Sequence, residues 1–349
     1  MKSAGLLSTV TGLAAAWISF TLLVWLYGES PRELAGQLFD GTWGSAYGAG
    51  QVLFKATPLL FTGVAVDLAL RAGLFNIGAE GQLTIASLAA ATVGAHLTGG
   101  VPAIVAVPLV VVVAATAGAA WAGVPAILRA RFGAHEVIST IMMNRIADAC
   151  VALAFANGLA IKGTVRTPDI ASAARLPKLE RFFHDLHGSA ASVALYVAIG
   201  IAFLVSVWFR RARVGRELVM VGLNPRACAA ERIPVARRLA QALLLSGAVA
   251  GLACLATVLG YKGYFESGLG AGAGFGGLAV ALLGRGHPLG LLLAALLFGT
   301  LQQGGLAING RVPMEVMDVL QGVVIAAVAL ADARVRASIV RIAGKVRLA

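Results

Sequence analysis

Ten long apolar stretches constrain the fold of this chain more than any motif in it. They fall at 6–27, 50–71, 78–97, 101–128, 135–161, 191–209, 239–260, 274–285, 287–308 and 315–332. At about 1.5 Å of helix per residue, most can cross a hydrocarbon layer of about 30 Å; 274–285 is the short one. Lipid offers no partner to a backbone N–H or C=O, so a run of this kind is expected as a helix that satisfies its own backbone. Composition agrees. Of 349 residues, 59% are hydrophobic and 13% charged, with a mean hydropathy of +0.86, whereas a soluble domain carries about 25% charge. The expected fold class is an all-α membrane protein of about ten transmembrane helices, forming one domain over 1–349. The stretch from Leu6 to Tyr27 is too long for the apolar part of a secretory signal and lacks a clear small-residue cleavage site before Glu29, so it is read as an uncleaved first helix.

The net charge of +12 would point to nucleic acid in a soluble protein. Here Lys and Arg gather in short connections between apolar stretches, so membrane lipid is the expected partner and nucleic acid is not. One set of alternate connections holds 18 of the 28 basic residues and the other holds 8, with Lys55 and Arg145 inside helices. The richer set includes 210–238 and the tail 333–349, which places both termini in the cytoplasm and the loop 162–190 outside. That loop carries Lys162, Arg166, Arg175, Lys178 and Arg181, partly offset by Asp169, Glu180 and Asp185.

Chemistry on substrate is not expected. There is no GxxxxGK[ST] loop to cradle phosphate, so ATP-driven transport would have to use a partner's ATPase. No nucleophile elbow, HExxH helix or carboxylate pair suggests catalysis. Catalytic residues, metal and cofactor are therefore all expected to be absent. Cys150, Cys228 and Cys254 lack CxxC spacing and read as small apolar residues. The run from Gly272 to Gly277 matches GxGxxG, but its flanks are membrane helices and the next acid is Glu315. Its glycines suit close helix packing or an unwound turn beside a cavity.

Two regions repeat a pattern of helix, Gly-rich break and helix: 50–71, 73–81 and 82–97, then 239–260, 263–277 and 278–285. With ten helices the copies would enter the membrane from opposite sides, as in inverted-repeat transporters whose broken segments line the path. Polar residues inside apolar stretches are costly unless paired or facing water. Asn76, Glu80 and Gln82 cluster in the first break, whereas His135, Glu136, Asn144, Arg145 and Asp148 share the fifth stretch. Arg145 with Asp148, and Asp67 with Arg71, have the spacing of ion pairs on one helix face. Gln302 and Gln303 suit helix-to-helix hydrogen bonds.

The connection 210–238 begins with a basic run from Arg210 to Arg216. It continues through Gly222-Leu-Asn-Pro-Arg-Ala-Cys-Ala-Ala230 to Ile233 and Pro234. Asn224 can cap a helix, Pro225 suits its first turn and Pro234 ends it. The result is a helix of about two turns, built of small residues. It reads either as a knob that docks into another protein or as an ordinary surface turn.

Four stretches carry a family resemblance. Gly73-Leu-Phe-Asn-Ile-Gly-Ala-Glu-Gly-Gln82 resembles the permease subunits of ABC importers for simple sugars and nucleosides, within the branched-chain amino acid and ribose permease group. His135-Glu-Val-Ile-Ser-Thr-Ile-Met-Met-Asn144, the stretch 222–230 and the Gly-rich segment 274–290 resemble further parts of that family in the expected order. Arg145 departs from it, since an aromatic residue more often follows that asparagine.

The resemblance implies a type II importer fold in a bacterial plasma membrane. It also implies a second homologous permease subunit, a cytoplasmic ABC ATPase that uses ATP, and an extracytoplasmic substrate-binding protein. Path or gate candidates are Phe75, Asn76, Glu80, Gln82, Asn144 and Phe275. Candidates for coupling to the ATPase are Gly222, Asn224, Pro225, Ala227, Ala229, Ala230 and Ile233. The expected function is translocation of a nucleoside or purine-like solute by alternating access, with a simple sugar as the alternative substrate. An ion-coupled secondary transporter is the rival mechanism, and a membrane-embedded enzyme is a third possibility for which no catalytic set is present.

Overall fold

The computed structural model describes residues 17–97, 101–313 and 315–327, together with Ala14. The start of the first apolar stretch, the end of the last and the basic tail 333–349 lie outside the described residues. Helices stand on all ten predicted stretches. In chain order they are α1 (Trp17–Leu26), α2 (Pro31–Thr42), α3 (Ala46–Arg71), α4 (Ala79–His96), α5 (Ala103–Phe132), α6 (Glu136–Ala154), α7 (Ala194–Arg211), α8 (Arg213–Leu223), α9 (Pro225–Ala230), α10 (Val235–Gly251), α11 (Ala273–Gly284), α12 (Pro288–Ile308) and α13 (315–327). The only β pairing among the described residues is two isolated bridges, Arg166 with Glu266 and Lys178 with Ser192.

Among the described residues, six helices are both long and apolar enough to cross a membrane: α3, α5, α6 with its extension to Leu159, α7, α10 with its extension to Lys262, and α12. This is fewer than the ten expected. Glu80, Gln82 and His96 make α4 too polar for that measure, and α11 has only 12 residues. The amphipathic α2 and α8 have no counterpart among the predicted stretches.

The chain forms two compact units, 1–52 with 300–349, and 53–299. In the first, Phe20 and Val24 of α1 and Leu34 of α2 share a buried cluster with Ile308, Val316, Met317 and Leu320. Gln303 reaches the Gly41 carbonyl there at 3.5 Å.

In the second unit the inner helices are α3, α4 and α10, while α5, α6 and α7 keep much of their surface outward. The outward residues of α5 include Ile104, Val105, Leu109 and Val112. A helix apolar on all sides and open to its surroundings suits lipid. α5 and α10 meet along a glycine seam. A Cβ on Gly118 would lie 3.0 Å from Gly251 Cα, and one on Gly251 would lie 3.0 Å from the Ala86 Cβ. Gly247 and Gly251, four apart, let the two backbones touch, which is how helices associate where lipid removes the hydrophobic drive. α5 stops at Gly133, whose φ of +67° places it in the left-handed region and whose N–H bonds back to Arg129.

α4 fixes the two ends of this unit. Just before it Gly73 touches Gly222, and near its far end the Gly94 carbonyl accepts from Ala171 N at 2.9 Å. The connections 210–238 and 162–190 therefore sit at opposite ends of α4.

Candidate functional site

The first break, 72–78, is held by amides. Asn76 Nδ2 donates to Gln82 Oε1 at 2.9 Å and to Ser246 Oγ at 2.7 Å, while Gln82 Nε2 returns a bond to Asn76 Oδ1 at 3.0 Å. Ser246 in turn donates to the Ala65 carbonyl at 2.6 Å, so one chain of bonds joins the break to α3 and α10. A helix start leaves N–H groups without partners, and no side chain of Gly78 can cap α4. Asn144 on α6 does so from outside, accepting from Gly81 N at 2.9 Å and donating to the Ile77 carbonyl at 3.0 Å. Asn76, Gln82 and Asn144 are all buried and bonded within the protein. Phe75 and Phe275 are exposed.

Glu80 reaches across to the second break. Its Oε1 accepts from Gly272 N and its Oε2 from Gly274 N, both at 2.7 Å. The start of α11 is thus capped by a carboxylate from the first turn of α4. Both helix ends carry partial positive charge, which an anion between them relieves. Thr62 Oγ1 donates to the Ala273 carbonyl at 2.7 Å and fixes α11 to α3. The link between Glu80 and the Gly-rich run is absent from the sequence reading. An acid placed just inside a glycine break, and a second glycine break opening a helix, are the signals that could have suggested it.

Glu80 also borders a cavity of about 200 Å³ walled by Thr84, Asp148, Phe265 and Ser267 among others. Asp148 faces it from α6. Its expected partner Arg145 approaches only to 3.8 Å, with the Arg145 side chain 85% exposed, so the pair is loose. The pair at the end of α3 is tighter: Arg71 Nε meets Asp67 Oδ2 at 2.9 Å, and the same guanidinium donates to the Gly286 carbonyl.

The connection 210–238 holds two helices where one was expected. α8 is amphipathic, burying Leu218 and Val221. Its Glu217 is gripped by two guanidinium groups, Arg213 Nε at 2.7 Å and Arg238 Nε at 2.7 Å. These hydrogen bonds, Arg213 first and then Arg238, hold the Glu217 carboxyl below the usual carboxylate range. α9 follows as expected: Asn224 Oδ1 accepts from Ala227 N at 3.1 Å, and Pro225 occupies the first turn. Cys228 is buried beneath it, whereas Ala227, Ala229 and Ala230 are exposed and Ile233 is half-buried. Gly222, at the end of α8, lies backbone to backbone on the first break. A Cβ there would come within 2.8 Å of Ala72 C and Gly73 N. Gly73 has φ +75°, open to glycine at little cost.

Among the described residues no three His, Cys, Asp or Glu side chains are grouped as a metal site would need. The three cysteines are free.

Comparison with known proteins places this architecture. The family model described as branched-chain amino acid transport system / permease component matches residues 48–329. The guanosine ABC transporter permease protein NupP of Bacillus subtilis (strain 168) is 37% identical over 93% of this chain and 92% of its own length. The glucose ABC transporter permease protein TsgB13 of Haloferax volcanii is 34% identical, covering 90% of this chain and 84% of its own. The nucleoside ABC transporter permease protein NupB of Lactococcus lactis subsp. cremoris is 30% identical over 93% and 90%. No solved structure matches. Apolar helices, broken inner segments and a family match over most of the length lead to one assignment: this multi-pass membrane protein belongs to the branched-chain amino acid transport system permease family of ABC transporters.

Proposed function

We propose that the chain is the translocation subunit of an importer that carries a nucleoside or, alternatively, a simple sugar, the solute classes named for the three relatives above. In this reading it spans the membrane ten times in a type II importer fold with inverted repeats, both termini lie in the cytoplasm, and 162–190 faces outward. A cytoplasmic ATPase binds α9, a second permease subunit completes the path, and an extracytoplasmic protein delivers the solute. The chain itself performs no covalent chemistry and needs no cofactor.

The observation that carries this reading is the backbone contact of Gly222 with Ala72 and Gly73. A push on the exposed Ala227, Ala229 and Ala230 surface would reach the first break through this backbone contact. Beyond that break lie Asn76, Gln82 and Asn144, which hold its shape, and Glu80, which joins α4 to α11. Alternating access is then a tilt of these inner segments, with Phe75 and Phe275 at the exposed edge of the path. Asn224 and Pro225 keep α9 formed, and Ile233 seats its base.

The test is topology together with coupling. Reporter fusions within 222–234 should read as cytoplasmic and those within 162–190 as external. Uptake should stop when ATP is depleted with the proton gradient intact. Residues 222–234 on the outer face, or uphill uptake by this chain alone, would refute the proposal.

A further inference from the structure

α6 turns Glu136, Thr140, Asn144, Ala147 and Val151 inward and leaves Met142, Arg145, Ile146, Asp148 and Leu153 outward. A guanidinium exposed halfway along a membrane helix is costly in hydrocarbon and belongs where water or a polar ligand reaches it. Around it Met142, Ile146, Ala149, Cys150 and Leu153 form a shallow, almost wholly apolar groove of about 300 Å³. One turn on, Asp148 leaves this groove and lines the Glu80 cavity, whose wall also holds the Thr84 and Ser267 hydroxyls. Two recesses of opposite character thus adjoin through the Arg145–Asp148 pair.

We propose that these recesses form one bipartite transit site for a nucleoside, the groove taking the flat base and the cavity taking the sugar. This rests on the permease reading and selects between its two solutes. The Glu80 carboxylate accepts from the backbone N–H groups of Gly272, Gly274 and Phe275, and an ionised carboxylate has about four acceptor positions, which leaves room for one more donor. Asp148 has acceptors to spare, so the cavity suits the O–H donors of a furanose. At about 200 Å³ it lies below the range of about 300–1,000 Å³ that holds a whole drug-sized ligand, so it accommodates only part of the solute. In the groove, apolar side chains can lie against a ring face. Arg145 presents the planar donor fork that pairs with the adjacent carbonyl oxygen and ring nitrogen of a purine such as guanine. A simple sugar has no part that suits the groove.

The test uses the assembled transporter with saturating labelled guanosine, so that delivery by the binding protein is not limiting. Arg145→Leu should cut guanosine uptake about tenfold, the scale of one charge-assisted hydrogen bond, while the complex still co-purifies with its ATPase. Arg145→Lys, which keeps the charge but not the planar fork, should recover only a small part of that loss. In a Cys150→Ala background, Arg145→Cys should react with a membrane-impermeant thiol reagent, and guanosine but not ribose should slow the reaction. Uptake by Arg145→Leu at the unmodified rate overturns the site. So does a residue 145 cysteine that is unreactive or unprotected, and this measurement decides the matter if the leucine variant does not assemble. A transporter that carries a simple sugar but no nucleoside overturns the site and leaves the permease reading standing. An assembled transporter that carries neither overturns both.

Discussion

Gly222→Val is the sharpest probe of how force would cross this protein. Its Cβ would run into the Arg71 carbonyl oxygen and sit 2.8 Å from Ala72 C and Gly73 N, all well inside ordinary contact. The neighbours are backbone atoms, which cannot turn away as a side-chain tip can, so α8 must lift off the break. Overpacking of this kind costs about 1–3 kcal/mol, and the two further methyl groups of valine place the variant at the upper end. We predict a lower melting temperature for the purified transporter and, more tellingly, ATP hydrolysis that persists while uptake is lost. The assay is paired: ATPase turnover and labelled-solute uptake in the same proteoliposomes. Gly200→Ala is the control, because nothing lies within 4 Å of a Cβ built there, and both readouts should be unchanged. If Gly222→Val couples hydrolysis to uptake as well as the unmodified chain does, the contact at Gly73 is not the path of force.

Asn144→Ala should destabilise by about 1–3 kcal/mol for each of the two backbone groups it leaves unpaired, Gly81 N–H and the Ile77 carbonyl; thermal unfolding in detergent measures this. Charged substitutions at Ala229 and Ala230, both exposed, should change stability by less than about 0.5 kcal/mol yet abolish co-purification of the ATPase. Glu217 gives a prediction in pH. Its carboxyl is lowered by Arg213 and Arg238, so its contribution is full above the unfolded carboxylate value of about 4.3 and fades as pH falls through the lower folded value. The melting-temperature gap between the unmodified chain and Glu217→Gln should therefore be constant from neutral pH down to about pH 5 and close in stronger acid.

Apolar length placed the helices well, because each stretch must satisfy its own backbone wherever it ends up. Local cap chemistry was equally readable: Asn224 and Pro225 start α9 as their residue types demand. Two features were hidden for different reasons. α8 has only 11 residues and its three charges, Arg213, Arg216 and Glu217, all fall in its first half, so a basic start masked a helix too short to span a membrane. The roles within the first break depend on partners far along the chain. Nothing near Asn76 announces Ser246, and nothing near Glu80 announces Gly272. A polar residue in an apolar stretch signals that a partner exists without saying whether it is protein or solute.

The carboxylate shared by two helix starts bears on how such proteins can be recombined. Because Glu80 supplies the cap that α11 lacks in its own sequence, the stretch 263–284 is not a self-contained cassette. A chimaera that imports this stretch from a relative inherits a helix whose first turn is completed by the host. Exchange of the late segment without its acid at 80 would leave the Gly272 and Gly274 amides bare, so the two breaks have to be inherited together.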